Sequence, residues 1–178
     1  MSKAAVFFVE NFEEIEAIAP VDILRRGGAE VDLISLTGSI EVKGSHGITA
    51  RMDKLYAEVN RFDYDLYILP GGPGTESYLD HEAFTEMLKS RGAAKIGAIC
   101  AAPSVLGRLG LLRGKKAICY PGYEKYLEGA QLSPDSVVTD GNITTARGAG
   151  AALPFGFRLL AELEGEEKAA EIRKSMAE

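Results

Sequence analysis

The part of this 178-residue chain best suited to chemistry is centred on Cys100. It follows an apolar run that ends at Ile99 and precedes Ala101, Ala102 and Pro103. Small flanking residues suit a tight turn from a buried strand into a helix, because backbone segments come close there. A thiol at a helix N-terminus lies near free N–H groups and the positive dipole end, which lower its pKa. The pattern predicts a reactive Cys100. A buried structural cysteine is the alternative, since free cysteines are often buried.

A glycine-rich segment, Leu69-Pro70-Gly71-Gly72-Pro73-Gly74, follows another predicted strand. Such backbone can approach a ligand closely and point its amides at an anion. The amides of Gly72 and Ala101 could together stabilise negative charge on a substrate oxygen or an oxidised sulfur. The spacing matches neither a P-loop nor a dinucleotide-binding fingerprint, so nucleotide binding is disfavoured. The alternative is a glycine-rich turn without a ligand.

Acidic residues open the helix predicted after the first strand. Glu13 and Glu14 suit a first helical turn, where they complement the dipole, and we expect them to face water. Glu16 is expected to point inward, at the start of an apolar stripe that continues with Ile18. A carboxyl group in an apolar site beside a thiolate stays protonated and can donate a hydrogen bond to sulfur, because burial and like charge raise its pKa. We therefore predict that Cys100 and Glu16 form a pair.

The other polar candidates are few. His46 lies in a predicted hairpin and His81 at a helix start, and no histidine follows Cys100. Both histidines are interpreted first as surface residues. Tyr120 could supply a phenol at the same sheet edge, although aromatic packing is the plainer interpretation, and Cys119 is expected to pack. Two cysteines without close metal-ligand spacing predict reduced thiols, with no disulfide framework, metal or cofactor.

Composition indicates an ordinary globular protein, with 46% hydrophobic and 26% charged residues. Its length predicts one domain over residues 1–178. The net charge of −6 and the pI of about 5.1 disfavour nucleic acid and anionic membranes as partners. The longest apolar run near the start, residues 4–9, is too short for a signal peptide or a spanning helix, so we expect a cytoplasmic protein.

Apolar runs of strand length alternate with segments of helical period, which is typical of an α/β fold. Runs that are apolar at consecutive positions suit a parallel sheet covered on both faces, with ligands beyond the carboxyl ends of its strands. We predict strands over residues 4–9, 31–36, 65–69, 95–99 and 116–120. Helices are predicted over residues 13–26, 82–91, 101–109, 152–163 and 166–176, the first three ending at glycines 27, 92 and 110. Hairpins attached to the main sheet are predicted over residues 41–52 and 136–147.

Taken together, these motifs resemble the ThiJ/PfpI superfamily, and most closely its DJ-one branch. The resemblance covers nearly the whole chain and implies a flavodoxin-like three-layer α/β sandwich with a mostly parallel central sheet, a nucleophile elbow and a homodimer. It is carried by Glu13-Glu14-Ile15-Glu16, Pro20-Val21-Asp22 with Arg25-Arg26, Leu69-Pro70-Gly71-Gly72, Ala98-Ile99-Cys100-Ala101-Ala102-Pro103 and Arg147-Gly148-Ala149-Gly150.

The same resemblance implies roles for individual residues. Cys100 takes the elbow position and Glu16 is its protonated partner. Backbone amides of Gly72 and Ala101, beside Gly71, form the oxyanion and substrate-binding site. Arg26 is implied near the dimer interface beside the site, with His46 where the family often has a second arginine. Tyr120 stands near the position from which several members supply a histidine.

Two functions follow from the resemblance and stay open. One is carbonyl-stress defence, with glyoxalase or deglycase chemistry on methylglyoxal or its adducts. The other is peroxide sensing or chaperone-like protection through a Cys100 sulfinate, without significant turnover. The implied partner is a small carbonyl compound or a peroxide. Peptidase activity is not expected, because Ala101 follows the cysteine directly and no histidine lies downstream.

Overall fold

A seven-stranded sheet lies at the centre of the computed structural model, which describes residues 1–60, 62–90 and 93–177. The strands of the chain are β1 (Lys3–Phe8), β2 (Glu30–Ser35), β3 (Glu41–Lys43), β4 (Thr49–Arg51), β5 (Lys54–Leu55), β6 (Leu66–Leu69), β7 (Lys95–Ile99), β8 (Lys116–Ala117), β9 (Gln131–Leu132), β10 (Val137–Asp140) and β11 (Ile143–Ala146). The central order is β10-β11-β7-β6-β1-β2-β5, and every pairing is parallel except β10 with β11.

Helices cover both faces of this sheet. They are α1 (Glu14–Arg26), α2 (Glu82–Ser90), α3 (Pro103–Arg108), α4 (Ala152–Glu164) and α5 (Glu166–Ser175). Alternate side chains of β1 enter two different cores: Val6 packs with residues of α1, α4 and α5, whereas Phe7 packs with residues of α2 and α3. Burial on both faces explains why β1 is apolar at consecutive positions. The predicted three-layer α/β fold is confirmed.

Several element predictions need correction. The predicted strand over residues 116–120 shortens to β8, which pairs with β9 outside the main sheet. The hairpin over residues 41–52 forms a separate two-stranded ribbon of β3 and β4, whereas β10 and β11 do join the sheet. The helix predicted from residue 101 begins at Pro103 as α3, because the preceding residues form the turn out of β7. The predicted end of α2, at residues 91 and 92, lies outside the described residues.

Parallel pairing brings the carboxyl ends of β1, β6 and β7 to one edge of the sheet. The turn after β7 carries Cys100, the turn after β6 carries the glycine-rich segment, and α1 follows β1 closely. The topology therefore gathers the three motifs that the sequence singled out. Within the described ranges, no helix is both long and apolar enough to cross a membrane.

Candidate active site

Cys100 occupies a strained turn between β7 and α3. Its φ angle is +65°, in the left-handed region, where a residue with a side chain costs roughly 1–2 kcal/mol. Both backbone groups are fixed: the Cys100 amide donates to the carbonyl of Ala146 (2.9 Å), and the Tyr120 amide donates to the Cys100 carbonyl (2.7 Å). The neighbouring strand β11 and the segment after β8 thus hold the cysteine in the conformation of a nucleophile elbow.

Glu16 lies beside this cysteine and is completely buried. Its Oε2 atom accepts a hydrogen bond from the amide of Gly71 (3.0 Å). The carboxyl group also interacts with the Cys100 thiol. Its Oε1 atom has no hydrogen-bond partner among the described residues. Glu13 caps α1 by accepting from the Glu16 amide (2.9 Å), and its own amide donates to the Gly71 carbonyl (2.9 Å). The start of α1 and the glycine-rich turn therefore hold each other in place.

The two glycines of that turn leave no room for side chains. A Cβ atom on Gly71 would lie 2.6 Å from the Cβ of Cys100 and 2.7 Å from Oε2 of Glu16. Gly72 has a φ of +106°, and a Cβ there would lie 2.6 Å from the Glu13 amide nitrogen. The amides of Gly72 and Ala101 both donate towards the Cys100 sulfur. The structure thus brings together Cys100, Glu16, Gly71, Gly72 and Ala101.

Electrostatics couple the thiol to the carboxyl group. Burial raises the pKa of Glu16 to about 7, against the hydrogen bond with Cys100, which lowers it. Burial, followed by the charge of Glu16, raises the pKa of Cys100 to about 12, while the amides of Ala101 and Gly72 lower it. The lowering of the thiol pKa expected from the helix end is therefore outweighed. Because each negative charge disfavours the other, the pair holds one proton and one negative charge between these two values.

Two predicted site residues, Arg26 and His46, bind partners other than Cys100 and Glu16. Arg26 lies in the last turn of α1, ten residues after Glu16 and roughly 15 Å away along the helix, and pairs with Asp22 (2.7 Å). Within one chain Arg26 therefore lies away from Cys100 and Glu16, and its expected place near a dimer interface stays a prediction. His46 binds Glu14 through Nδ1 (2.9 Å) and through its backbone amide (2.8 Å).

Glu14, expected to face water, is only 7% exposed, and Glu13 is largely shielded as well. Burial would raise the Glu14 pKa, but hydrogen bonds from the side chain and backbone of His46, and from the Ile48 amide, lower it to about 2. The same carboxylate raises the pKa of His46. Candidate ligand atoms of Glu13, Glu14 and His46 lie within 4.8 Å of one another. The helix cap and the ion pair account for this grouping, which ties the β3–β4 ribbon to α1.

A cavity of about 390 Å³ opens beside the elbow. Tyr120 and Gly148 line it, and a Cβ atom on Gly148 would lie 3.2 Å from the Tyr120 ring and 4.0 Å from the Cys100 sulfur. Tyr120 does not end a strand as predicted. It follows β8 in an irregular segment, and its amide binds the Cys100 carbonyl. The sequence analysis did not assign Gly148 to the site, although this residue lies in the Arg147-Gly148-Ala149-Gly150 motif.

An apolar surface surrounds the outer face of α1. Ile18, expected inside, is 45% exposed, and Ile15, Ile48 and Leu153 are 57%, 61% and 45% exposed. These four side chains line one shallow groove. We call them the α1 surface. Single exposed apolar residues are common on protein surfaces, whereas these four lie together in one apolar patch.

A strained cysteine after a parallel strand, paired with a buried carboxyl group and two converging amides, defines a nucleophile-elbow protein of the α/β class. The sequence model of the DJ-1/PfpI family matches residues 2–162, and the chain belongs to that family. It falls within the DJ-1-like branch, being 36% identical to protein dj-1beta of Drosophila melanogaster over 99% of this chain and 97% of that protein. The solved structure of oxidized Toxoplasma gondii DJ-1 superposes with a TM-score of 0.95, at 35% identity over 99% of this chain and 98% of that one.

Two other relatives carry names that describe an activity. A glutathione-independent glyoxalase of Caenorhabditis elegans is 33% identical over 94% of this chain and 91% of its own length. A deglycase of Pyrococcus abyssi is 31% identical over 82% of this chain and 89% of its own length.

Protein DJ-1 homolog B of Arabidopsis thaliana is 38% identical over 96% of this chain, which spans only 40% of that protein.

Proposed function

We propose that this protein defends against reactive carbonyls, using Cys100 as the nucleophile and Glu16 as the proton donor and acceptor. The substrates are 2-oxoaldehydes such as methylglyoxal, or their adducts. One observation carries the proposal: a sulfur atom held in a strained turn, with the amides of Ala101 and Gly72 and a buried carboxyl group converging on it. The names of the glyoxalase and deglycase relatives support it.

The shared proton suits this chemistry. Transfer of the proton from sulfur to Glu16 produces a thiolate without changing the net charge of the buried pair, so the step needs no additional burial of charge. The thiolate then adds to the aldehyde carbon, and the amides stabilise the negative charge that develops on the carbonyl oxygen. Glu16, now protonated, donates its proton to that oxygen and gives a hemithioacetal.

The steps that convert the hemithioacetal into the 2-hydroxy acid need only proton transfers and water. Glu16 removes the hydrogen of the former aldehyde carbon as a proton and returns it to the neighbouring carbon, while the hydroxyl proton of the hemithioacetal moves to the former keto oxygen. The first carbon is thereby oxidised and its neighbour is reduced. The product is a thioester of a 2-hydroxy acid on Cys100. Water cleaves the thioester, releases the acid and restores the thiol. The Glu16 carboxyl group, fixed by the Gly71 amide, is positioned for both proton transfers.

The test measures methylglyoxal consumption and lactate formation by purified protein. Cys100→Ala and Glu16→Gln should both reduce turnover to the uncatalysed background. Cys119→Ala is the matched control, because Cys119 is a buried thiol whose loss should leave turnover near the wild-type rate. Equal turnover by wild-type protein and Cys100→Ala would refute the proposal.

Peroxide sensing is the second candidate, and the same contacts favour it. Two peroxide molecules, each reduced to water, would convert the thiolate through the sulfenate to a sulfinate, whose oxygens the two amides and Glu16 can bind. The relative from Toxoplasma gondii has been solved in an oxidized form. Intact mass after mild peroxide should show two added oxygens on Cys100 and less accumulation in Glu16→Gln. Equal oxidation of Cys119 would contradict a sensing role.

Two free thiols also fit a reducing, cytoplasmic location.

We propose further that a second copy of this chain covers the α1 surface. It gathers four of the large hydrophobic side chains that the fold leaves exposed, and a homodimer buries the same apolar surface on both partners. Light scattering should give twice the chain mass for wild-type protein and the chain mass for Ile18→Lys. Leu132→Lys, at a 55% exposed position outside this surface, should remain dimeric. A monomeric wild-type protein at micromolar concentration would rule the interface out.

A further inference from the structure

The cavity beside Cys100 is larger than a three-carbon aldehyde requires. Its volume of about 390 Å³ lies in the range of pockets that hold drug-sized ligands, which begin at about 300 Å³. Its wall combines aromatic, proline and small side chains. The lining residues are Tyr120, Pro121, Ser136, Arg147, Gly148 and the 149–151 segment.

Gly148 connects this cavity to the sulfur. It lines the cavity, and the position that its Cβ atom would occupy lies 4.0 Å from the Cys100 sulfur. Its φ angle of 167° is ordinary extended backbone, open to any residue. Backbone strain therefore does not require a glycine here. The missing side chain instead leaves a path from the cavity to the nucleophile.

Tyr120 gives the cavity an aromatic wall. Its backbone is anchored by the hydrogen bond to the Cys100 carbonyl, and its ring contacts Tyr123 edge-on, with the centroids 6.5 Å apart. The residue is still 50% exposed. An anchored ring with one free face is well suited to pack against a second aromatic ring.

Arg147 also lines the cavity, and its guanidinium donates to the carbonyl of Pro134 (2.8 Å). The part of the wall next to the sulfur is formed by Tyr120 and Gly148, an aromatic ring and a residue without a side chain. This part of the wall favours an uncharged, flat substituent.

We propose that this cavity selects 2-oxoaldehydes that carry an aromatic group on the keto carbon. The turnover of such a substrate rests on the proposed carbonyl function. The aldehyde carbon bonds to the Cys100 sulfur, the aromatic group lies against Tyr120, and the proton transfers and hydrolysis proceed as for methylglyoxal. Phenylglyoxal plus one water then gives mandelate, and the thiol is restored with no external oxidant or reductant.

The first experiment compares kcat/KM for phenylglyoxal and methylglyoxal in each variant, so that the intrinsic reactivity of the two aldehydes cancels. Tyr120→Ala and Gly148→Ala should each lower the phenylglyoxal-to-methylglyoxal ratio by about 10-fold, the effect of a small change in pocket shape. Tyr120→Phe keeps the ring and should keep the ratio. An unchanged ratio in both Tyr120→Ala and Gly148→Ala would overturn the inference.

The second experiment does not depend on turnover. Cys100 is alkylated with iodoacetamide or with its N-phenyl derivative, iodoacetanilide, and the rates are followed by intact mass. Wild-type protein should favour the phenyl reagent relative to a small free thiol, and Tyr120→Ala and Gly148→Ala should remove this preference while iodoacetamide still reacts. If neither aldehyde is turned over but the preference behaves in this way, the cavity assignment holds and the proposed catalysis fails. If methylglyoxal turnover depends on Cys100 but neither variant changes either selectivity, the cavity assignment fails alone.

Discussion

The buried carboxyl group of Glu16 should make the stability of this protein fall as the pH rises. Glu16 is fully buried, and burial raises its pKa from 4.5 to about 7. An acid whose pKa is raised in the folded state stabilises the fold below its unfolded value, and this contribution is lost as the pH rises through the folded value. Integration of the linkage relation between pH 5 and pH 8 with these two values gives a loss of about 2.5 kcal/mol in the free energy of unfolding. The Cys100 thiol adds little, because its pKa of about 12 keeps it protonated over this range when Glu16 is charged.

Glu16→Gln isolates this effect, because glutamine has nearly the same shape and does not ionise. Urea denaturation at a fixed protein concentration should show that wild-type protein loses about 2.5 kcal/mol more than Glu16→Gln between pH 5 and pH 8. Glu10→Gln is the matched control, since Glu10 is exposed on the loop before α1, and it should follow the wild-type profile. Parallel profiles for wild-type protein and Glu16→Gln would show that burial does not hold the carboxyl group in its neutral form. The conclusion that Glu16 and Cys100 share one proton would then be refuted.

Three further predictions concern the elbow and its supports. Cys100→Gly should be about 1 kcal/mol more stable to urea than Cys100→Ala, because glycine alone has no penalty at a φ of +65°; equal stabilities would mean that the turn relaxes. Gly71→Ala should lower methylglyoxal turnover by about 100-fold, because a Cβ 2.6 Å from that of Cys100 must displace the pair; retained turnover would place the chemistry elsewhere. Glu14→Gln should lower the free energy of unfolding by about 2 kcal/mol at pH 7, as measured by urea denaturation. Because the Glu14 pKa is lowered to about 2, this difference from wild-type protein should vanish as the pH falls from 4.5 through 2. A difference that stays constant with pH would show that the charge of Glu14 is not involved.

The elbow could be predicted from the sequence because its requirements are local. A buried strand that runs directly into small residues leaves few conformations for Cys100, and the structure shows the strained φ that this pattern implies. The glycine pair was predicted for the same reason, since Gly71 and Gly72 permit a close approach that any side chain would prevent. The convergence of these turns followed from the parallel order of the strands, which consecutive apolar residues indicate.

The surroundings could not be predicted because they depend on contacts between distant segments. Glu14 and His46 are 32 positions apart, and an acid in a first helical turn resembles a solvated residue unless the ribbon that covers it is known. Tyr120 was expected at the end of a strand, but that segment bonds to Cys100 and to Thr145 instead of continuing β8. Ile18 shows the converse case, since its position on α1 looked internal and the fold leaves it exposed.

Several features that oppose stability meet at one sulfur atom. Cys100 has a backbone conformation that glycine would adopt at lower cost. Glu16 buries a carboxyl oxygen that has no hydrogen-bond partner among the described residues, where an apolar side chain of similar size would avoid the cost of burying a polar group. Natural folds depart from local preferences mainly at functional sites. Because the costly conformation, the costly burial and the excluded side chains all concern the same two groups, a single role explains them together: one negative charge can move between carboxyl and sulfur at constant net charge, beside two amides that are oriented to receive it.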